Sequence, residues 1–472
     1  MTDSNPTSKW GWHLWLGSFY FLILFFSVML SMWIVRYAMM HGPRLTNKQA
    51  DTVLLIASFP STLKNIFYSI LPQPYLLLID RSKAEKLSWT RHFPASEDSG
   101  YLLFSGLDPV VRHGIVSLIR ISDGKEVARW DPDWSDILNN ISNQSWRPTV
   151  NVKSVLPTHP LLLDDGAIIF KTSNDAMVRI NVCERKPAWV IDKEILHHSN
   201  EMSFDGTIWS PGVAHDAFPK NSWLTEHLRD DALVRVSTEG KVLEKRSFSH
   251  ILLTNHLEVM LLGRSGLLFN EDPIHLNQIS IAIKDSPYWK QGDLLISARH
   301  LSTVFLYRPS SNKIIWFKQG PWMNQHSALF IDDHRISIFD NHVFGGAPET
   351  QPFVSPSSIN RVFVYDFANK KFSQPFKELL SQSKPVTMTA GRSQVLPDGG
   401  LFIEETESGR HLRFSSKHLI WSRVNDFDAQ HIGLVSWSRY LTADEAKKSL
   451  DAIANSPKCN QKVGSLSVKV KS

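Results

Sequence analysis

The stretch His326-Ser-Ala-Leu-Phe-Ile-Asp-Asp333 is followed by the apolar run Ile336-Ser-Ile-Phe339, and a similar arrangement lies upstream. There, His198 is also followed seven residues later by an aspartate, Asp205, and then by the apolar run Thr207-Ile-Trp209. The equal spacing predicts that both histidines occupy the same place in a repeated unit of turn and strand. Repeated units that each deliver one polar side chain to a common centre are typical of β-propellers. The sequence therefore predicts one shared site.

Short strand-like runs that end near a tryptophan recur along most of the chain. They are rich in β-branched and aromatic residues, and Asp-Gly pairs and related turn residues separate them. Such runs indicate strands, and a period of about 40 residues fits a four-stranded propeller blade. The region 75–440 accommodates six blades, which predicts an all-β fold, a six-bladed β-propeller. We expect packing between the blades for the tryptophans that repeat, namely Trp130, Trp189, Trp316 and Trp421.

The N-terminal part of the chain has a different character. Residues 14–35 are uncharged and consist mainly of Leu, Phe, Ile and Met, and a helix of about 20 such residues spans the apolar core of a membrane. Aromatic residues flank this run, and no cleavage pattern of small residues follows it. We therefore expect a single uncleaved N-terminal transmembrane helix. The predicted domains are a tail at 1–13, the anchor at 14–35, a linker at 36–74, the propeller at 75–440 and a C-terminal surface segment at 441–472 with a helical pattern at 443–450.

Composition narrows the range of functions. The formal charge of +5 is small for 472 residues and gives no reason to expect nucleic-acid binding. The two cysteines, Cys183 and Cys459, could pair in an oxidising compartment, but two buried free thiols are the simpler expectation. No His-x-His or His-x3-His spacing suggests a metal, so neither a metal nor a cofactor is expected.

Several segments resemble the bacterial aryl sulfate sulfotransferase family, which moves sulfuryl groups between phenols without a nucleotide donor. The resemblance spans roughly 150–440 and is strongest between 270 and 341. It rests on Asp272-Pro-Ile-His-Leu-Asn277, Ser297-Ala-Arg-His-Leu-Ser302 and Gly320–His326, and it extends to Asp333–Asn341 and Leu434–Tyr440. It implies a six-bladed propeller with its site at the central channel, in agreement with the repeat count. It also implies transfer from an aryl sulfate to a phenol through an N-sulfohistidine.

The same resemblance assigns roles to individual residues. The family's nucleophilic histidine, in a Gln-His element, falls on His326, and its arginine, in a Ser-x-Arg-His element, falls on Arg299. The His-x-Asn element falls on His275 and Asn277. These four residues form the core of the expected site.

Further site residues are assigned less uniquely. A channel histidine of the family falls on the pair His197-His198, and the seven-residue spacing selects His198 as catalytic and leaves His197 as a substrate-binding candidate. A hydroxyl ligand is expected near Gly391-Arg392, where Thr389 and Ser393 are candidates. Ser327 departs from the family pattern, because an acidic residue commonly follows the Gln-His element.

The chemistry of sulfuryl transfer suits these residue types. By analogy with phosphoryl transfer, catalysis reduces to positioning and charge stabilisation. The neutral imidazole of His326 would attack sulfur, and the planar cation Arg299 would match two sulfuryl oxygens. His198 and His275 would bind oxygen or protonate the departing phenolate, with Asn277 as a neutral donor. His300 and His334 stand beside turn residues, and we expect them to be surface or satisfied core histidines.

Two other functions remain open. The fold could serve as a non-catalytic, membrane-tethered scaffold or ligand receptor, since fold does not imply function. A quinone-dependent oxidoreductase would need a channel cluster of metal-binding carboxylates and amides, which the sequence does not display. The resemblance to secreted enzymes predicts a single-pass inner-membrane protein with a periplasmic propeller, although basic residues are slightly more frequent after residue 35 and favour the opposite orientation. The oligomeric state is not predicted.

Overall fold

Helix α1 (Thr7–His41) lies in the N-terminal part of the protein. The computed structural model describes residues 7–41, 78–80, 89–92, 98–141, 152–173, 175–214, 218, 228–263, 271–343 and 359–459. Residues 1–74 with 265–269 form one compact unit, and residues 75–264 with 270–472 form the other. No helix within the described ranges combines the length and the apolar character needed to cross a membrane. The anchor expected at 14–35 lies in α1 and stays a prediction, while most of the linker expected at 36–74 lies outside the described residues.

The second unit is a six-bladed β-propeller, as predicted. Six antiparallel sheets of its described strands form the blades, and the strands of blades 2 to 5 pair in chain order. The strands of blades 1 to 3 are β27 (Arg439–Leu441), β3 (Tyr101–Leu107), β4 (Gly114–Arg120) and β5 (Glu126–Trp130); β6 (Thr158–Leu162), β7 (Ile168–Lys171), β8 (Met177–Ile180) and β9 (Trp189–Ile191); and β10 (Glu201–Met202), β11 (Ile208–Ala214), β12 (Asp230–Val236) and β13 (Val242–Ser247).

Blades 4 to 6 continue this order around the ring. Their strands are β14 (Leu276–Ile281), β15 (Leu294–Ala298), β16 (Thr303–Arg308) and β17 (Lys313–Gln319); β18 (Ser327–Phe330), β19 (Arg335–Asp340), β20 (Arg361–Asp366) and β21 (Lys371–Ser373); and β22 (Arg392–Val395), β23 (Leu401–Glu405), β24 (Arg410–Phe414) and β25 (Leu419–Val424). β2 (Trp89–Arg91) adds a fifth strand to blade 6, and β1 (Leu78–Asp80) pairs separately with β26 (His431–Gly433).

The ring closes by pairing the two ends of the propeller chain. β27 supplies the first strand of blade 1 and pairs with β3, so that Tyr440 lies opposite Leu102. The Tyr440 hydroxyl also donates to Asp98 Oδ1 at 2.6 Å. This closure protects strand edges that would otherwise be open.

The turns between the first two strands of several blades share one construction. An Asp-Gly pair places the glycine at positive φ, between +76° and +79° in three blades, a region that glycine adopts without steric cost. The aspartate accepts a backbone N–H two residues later and binds an arginine on the third strand of the same blade. The aspartate and arginine pairs are Asp165 with Arg179, Asp205 with Arg235, and Asp398 with Arg413.

Apolar side chains fill the spaces between neighbouring blades. Each of six buried clusters draws on two adjacent blades. The second strand of each sheet therefore buries both faces and has a nearly continuous apolar sequence. Trp130 and Trp421 are fully buried there, as expected. Trp189 and Trp316 are only partly buried, and the Trp316 ring packs 5.1 Å from that of Tyr365.

The described part of the propeller unit also contains short helices. They are α2 (Trp134–Asn140), α3 (Phe248–Thr254), α4 (Glu258–Leu262), α5 (Lys377–Ser383) and α6 (Ala443–Ala454), with 3-10 turns at Val152–Ser154, Pro309–Ser311 and Thr406–Ser408. α6 is longer than the predicted 443–450 and begins with a capping box of Thr442 and Glu445. Its Leu450 and Ile453 pack against the cluster between blades 1 and 2.

The two cysteines form a disulfide, Cys183–Cys459, and the expectation of two free thiols is wrong. Cys183 follows β8 in blade 2, and Cys459 lies just beyond α6. The two residues are 276 positions apart in the chain. Ring closure and the docking of α6 bring them together, and neither is visible in local sequence.

Candidate active site

Six side chains, one from the start of each blade's first strand, are placed around the central channel. The His198 ring lies 4.9 Å from that of His275 and 6.1 Å from that of His326. The Trp437 ring lies 6.3 Å from that of His326 and 4.3 Å from that of His159. In blade order from 1 to 6, the residues are Trp437, His159, His198, His275, His326 and Arg392.

The backbone conformation and the backbone hydrogen bonds differ between His198 and His326. Their equal spacing to an aspartate therefore does not place them at the same position of the blade. His326 has ordinary backbone angles, and its N–H donates to Phe339 O. In blade 3 the corresponding bond to Pro211 O comes from His197 instead, and His198 is an added residue at φ 56°. The expectation of one shared structural position is therefore wrong, although both rings reach the same centre.

His326 is held in one tautomer. Its side chain is 1% exposed, and Nδ1 lies 3.0 Å from Asn341 Oδ1. The Asn341 amide nitrogen donates to the carbonyls of Thr387 and Ala390, so its oxygen must face the histidine. Nδ1 of His326 therefore carries the hydrogen, and Nε2 keeps its lone pair. Burial and then the charge of Arg299 hold the pKa of His326 well below its usual value, so the ring is neutral near pH 7.

His275 is oriented by a neighbouring carboxylate. Its Nδ1 lies 2.5 Å from Asp272 Oδ2, and the His300 ring stacks on it at 4.4 Å. His300 Nδ1 in turn bonds Asp272 O at 2.6 Å. His300 was expected to be an ordinary surface or core histidine. In the structure it contacts both Asp272 and His275 and so helps to position them. The exposed His334 lies in a turn, as expected, and bonds Asp333.

Asp272, His275 and His300 also form a group that could hold a metal ion by geometry. The Nδ1 atoms of both histidines already form hydrogen bonds with Asp272, so the three residues satisfy one another without an ion. The expectation that the protein needs no metal stays a prediction.

A series of polar contacts links a buried carboxylate, that of Asp231, to His198. His197 Nε2 faces Asp231 Oδ1 at 3.2 Å and Gly212 O at 3.3 Å, and both of these are acceptors. Nε2 therefore carries the hydrogen, and His197 Nδ1 is free to accept from His198 Nδ1 at 2.7 Å. His198 Nε2 then holds a lone pair. His197, expected to bind substrate, thus contacts His198 and Asp231.

Lys171 fixes the turn that carries these two histidines. Its ammonium group is 1% exposed and donates to the carbonyl oxygens of His197, His198 and Ser199 at 2.7–2.8 Å. An ammonium has three hydrogens, and all three are used. These three hydrogen bonds therefore stabilise the strained positive φ of His198.

Arg299 and Asn277 lie next to the His326 segment. Arg299 is 5% exposed, and its charge is the largest effect on the pKa of His326 after burial. Burial lowers the pKa of Arg299 itself, whereas the carboxylates of Asp272 and Glu407 raise it. Asn277 is fully buried, and its amide donates to Gln325 O at 2.8 Å, so it positions the residue before His326.

The two hydroxyl candidates occupy different surroundings. Thr389 is exposed, and both its hydroxyl and its N–H bind Glu407. Ser393 is 1% exposed and lies on β22, the first strand of blade 6. The structure therefore places Ser393 in the interior and Thr389 at the surface near Glu407.

Sequence reasoning missed His159, Arg392 and Trp437. Each stands at or just before the first strand of its blade, as His275 does, and His159 and Trp437 share its positive φ. An alignment of strand starts, instead of a search for histidine motifs, would have found them.

Histidines in the propeller interior predict a loss of stability in mild acid. Burial is the main cause that lowers the pKa of each of them in the folded protein. In the unfolded chain these histidines bind protons near pH 6.5. Lowering the pH below that value therefore stabilises the unfolded chain relative to the folded protein. We expect the free energy of unfolding to decrease below about pH 6.5, by at most about 1.4 kcal/mol per pH unit for each histidine. The histidines concerned are His159, His197, His198, His326 and His411.

Urea unfolding between about pH 7.5 and 5.5 measures this effect. Carboxylates with lowered pKa titrate below this window and contribute little to it. A free energy of unfolding that stays constant across the window would contradict neutral interior histidines.

Comparison with solved structures finds several weak similarities. They include a protein of unknown function from Bacteroides caccae (13% identity, TM-score 0.41, covering 73% of this chain and 99% of that chain) and TolB from Acinetobacter baumannii (11%, 0.40, 73% and 67%). The Pan2 WD40 domain of Neurospora crassa is also similar (10%, 0.36, 76% and 96%). These similarities are too weak to carry an argument about function.

Comparison by sequence is more informative. No curated protein matches the chain. The profile of the arylsulfotransferase (ASST) family matches residues 159–425, which is more than half of the chain and runs from the first channel histidine to the end of blade 6. The protein therefore belongs to the arylsulfotransferase family.

Proposed function

We propose that the protein is an aryl sulfate sulfotransferase that uses His326 as a covalent carrier of the sulfuryl group. Membership of the arylsulfotransferase family supports the reaction class. The observation that carries the proposal is the state of His326, which is buried and neutral with an available Nε2 beside a cationic Arg299. A neutral imidazole held in one tautomer is a competent nucleophile.

In the first half of the reaction, His326 Nε2 attacks the sulfur of the donor. The bond between sulfur and the aryl oxygen breaks, and its electron pair leaves on the phenolate. Arg299 is near enough to act on His326 electrostatically and would stabilise charge on the sulfuryl oxygens. His275, oriented by Asp272, offers a second polar group at the same centre. A phenolic acceptor then attacks the same sulfur and regenerates His326.

We assign transfer of the phenol proton to His198, which contacts His197, which in turn contacts Asp231. The acid form of this pair carries one proton more than the neutral resting pair: when His198 Nε2 takes up a proton from solvent, the Nδ1 proton of His198 moves to His197 Nδ1, and His197 becomes charged. When His198 Nε2–H then protonates the leaving phenolate, that proton moves back from His197 Nδ1 to His198 Nδ1, and the acceptor phenol later restores the added proton. The positive charge before that step lies beside Asp231, whose Oδ1 is 3.2 Å from His197 Nε2. The second half of the reaction returns the proton by the same path, so the two halves balance.

This role of His197 predicts a dependence on the leaving group. We expect His197→Gln to slow release of a weakly acidic phenol by about 10²-fold, the lower range for general acid catalysis. Release of the more acidic para-nitrophenol needs little protonation and should change much less. The measurement is single-turnover release from phenyl sulfate and from para-nitrophenyl sulfate. An equal loss for both donors would show that His197 serves only to hold the structure.

Incubation of the soluble propeller with an aryl sulfate and a phenol tests the function itself. We expect release of the donor phenol, sulfation of the acceptor, and a rapidly quenched protein that carries one sulfuryl group. If no aryl sulfate gives transfer, the non-catalytic scaffold becomes the better interpretation.

We further propose that the propeller acts in an oxidising compartment, on the periplasmic side of the inner membrane. The Cys183–Cys459 disulfide supports this location, because such bonds persist in oxidising compartments and are rare in the cytosol. A reporter fused after residue 472 is expected to be active when it is one that works only outside the cytoplasm. Activity of a cytoplasm-specific reporter at the same position would overturn the proposal.

A further inference from the structure

Three buried hydrogen-bonding groups meet on the side of the channel that the proposed sulfuryl transfer does not use. The Arg392 side chain is 2% exposed, Trp437 is 2% exposed and His159 is 8% exposed. The Arg392 guanidinium carbon lies 5.6 Å from the centre of the Trp437 ring, and the His159 ring lies 4.3 Å from it. Within the described part of the chain, Nε and Nη1 of Arg392, Nε1 of Trp437 and Nδ1 of His159 have no hydrogen-bond partner.

Nearby carboxylates are already committed to other groups. Glu201 binds Arg439 through both of its oxygens. Glu404 accepts the backbone N–H groups of Trp437 and Ser438. The charges of Glu201 and Glu404 reach Arg392 through space, and burial lowers the pKa of Arg392 to about 10, so it stays a cation at neutral pH. A buried cation with two nitrogen atoms that lack an acceptor is costly unless a ligand supplies acceptors.

The chemistry of this group selects an anion. Guanidinium and indole nitrogens donate and do not accept, and the histidine can donate as well. Arg392 is therefore suited to a carboxylate or sulfonate, which matches its planar fork of donors. A cationic ligand group would be repelled by Arg392, and a neutral acceptor would leave its positive charge uncompensated.

This anion is not the sulfuryl group in transfer. Arg299 is the arginine whose charge most affects the pKa of His326, and it lies with His275 and Asp272. Arg392 instead acts on His159 and Glu201. Trp437 links the two regions, since its ring is 6.3 Å from that of His326. One ligand could thus present its sulfuryl group or hydroxyl to His326 and another substituent to Arg392.

We propose that Arg392, His159 and Trp437 form a subsite for a second anionic group on the aromatic substrate, so that the enzyme prefers phenols that carry a carboxylate or sulfonate. The inference rests on the proposed function, because it assigns the second group to the same substrate. It goes beyond that function by stating which class of phenol is recognised.

Matched phenols that differ in one charge test the subsite. The probes are meta- and para-hydroxybenzoate and the corresponding uncharged hydroxybenzamides. By calorimetry, the parent protein is expected to bind the better hydroxybenzoate about 10- to 100-fold more tightly than its amide, the scale of a hydrogen-bonded charge. In Arg392→Gln this preference should fall close to unity, while amide binding changes little. The same ratios are expected in kcat/KM for these phenols as acceptors.

Further variants keep the test decisive. Arg392→Lys should retain part of the preference because it keeps the charge, and Trp437→Phe should weaken it by removing the indole N–H while keeping a ring. Arg335→Gln changes an exposed arginine paired with Asp332 and serves as the control. If Arg392→Gln fails to fold, the Lys and Phe variants supply the comparison.

The outcomes separate the subsite from the activity. A parent protein without preference for the acids, or a preference that survives Arg392→Gln, overturns the subsite. An equal loss of acid and amide binding in Arg392→Gln also overturns it. If the preference is present in binding but no transfer occurs, the sulfotransferase proposal fails and the anion subsite stands.

Discussion

A His326→Ala protein is expected to release phenol from an aryl sulfate at least about 10⁴-fold more slowly than the parent, since loss of the nucleophile removes the covalent route. The physical reason is that His326 Nε2 is the lone pair fixed by the Asn341 contact at the channel. His198 also retains an Nε2 lone pair, but its other nitrogen is tied to His197 in the path assigned to the proton.

Two comparisons make this result specific. His326→Gln can still donate to Asn341, so a similar loss in that variant would exclude damage to packing as the cause. His334→Ala removes an exposed turn histidine and should retain parental activity. Circular dichroism and thermal melting show whether each variant is folded. Transfer at the parent rate by folded His326→Ala, or a sulfuryl label on another residue of the quenched parent, would exclude the carrier role.

The fold could be predicted because a propeller blade is a local structure. Turns such as Asp165-Gly166 and strand-end tryptophans such as Trp130 lie within single blades, so their period is visible in the chain. The pairing of β27 with β3 and the Cys183–Cys459 disulfide join segments from opposite ends of the propeller. Local patterns carry no signal for such contacts, which explains why the free-thiol expectation failed.

The candidate site could be predicted only in part. Family motifs located His275, Arg299 and His326, but they did not indicate which nitrogen of each histidine is available. That property depends on the folded positions of Asn341 and Asp272. Spacing in the chain was misleading for His198, because an added residue changes its place in the blade without changing the count to the next aspartate.

Loss of Arg299 should have the second largest effect. We expect Arg299→Gln to lower kcat for sulfuryl transfer by about 10²–10³-fold, the scale for removing one donor to developing charge. Arg299 is 5% exposed, and few other cations act on His326, so water and neighbouring charges can replace it only poorly. Arg299→Lys should lose less, because it keeps the charge while losing the planar fork.

The acid side of the pH profile separates an electrostatic role from a structural one. Since the charge of Arg299 lowers the pKa of His326, its removal should raise that pKa. The neutral, nucleophilic form of His326 would then be lost at a higher pH, and the acid limb of kcat should move upward in Arg299→Gln and less in Arg299→Lys. A fall in kcat without this movement, or a rise in KM with kcat unchanged, would mean that Arg299 contributes only to structure or to ground-state binding. Negative charge on the sulfuryl oxygens beside His326 requires both effects together, because the cation that lowers the pKa of the imidazole is the one that would stabilise those oxygens.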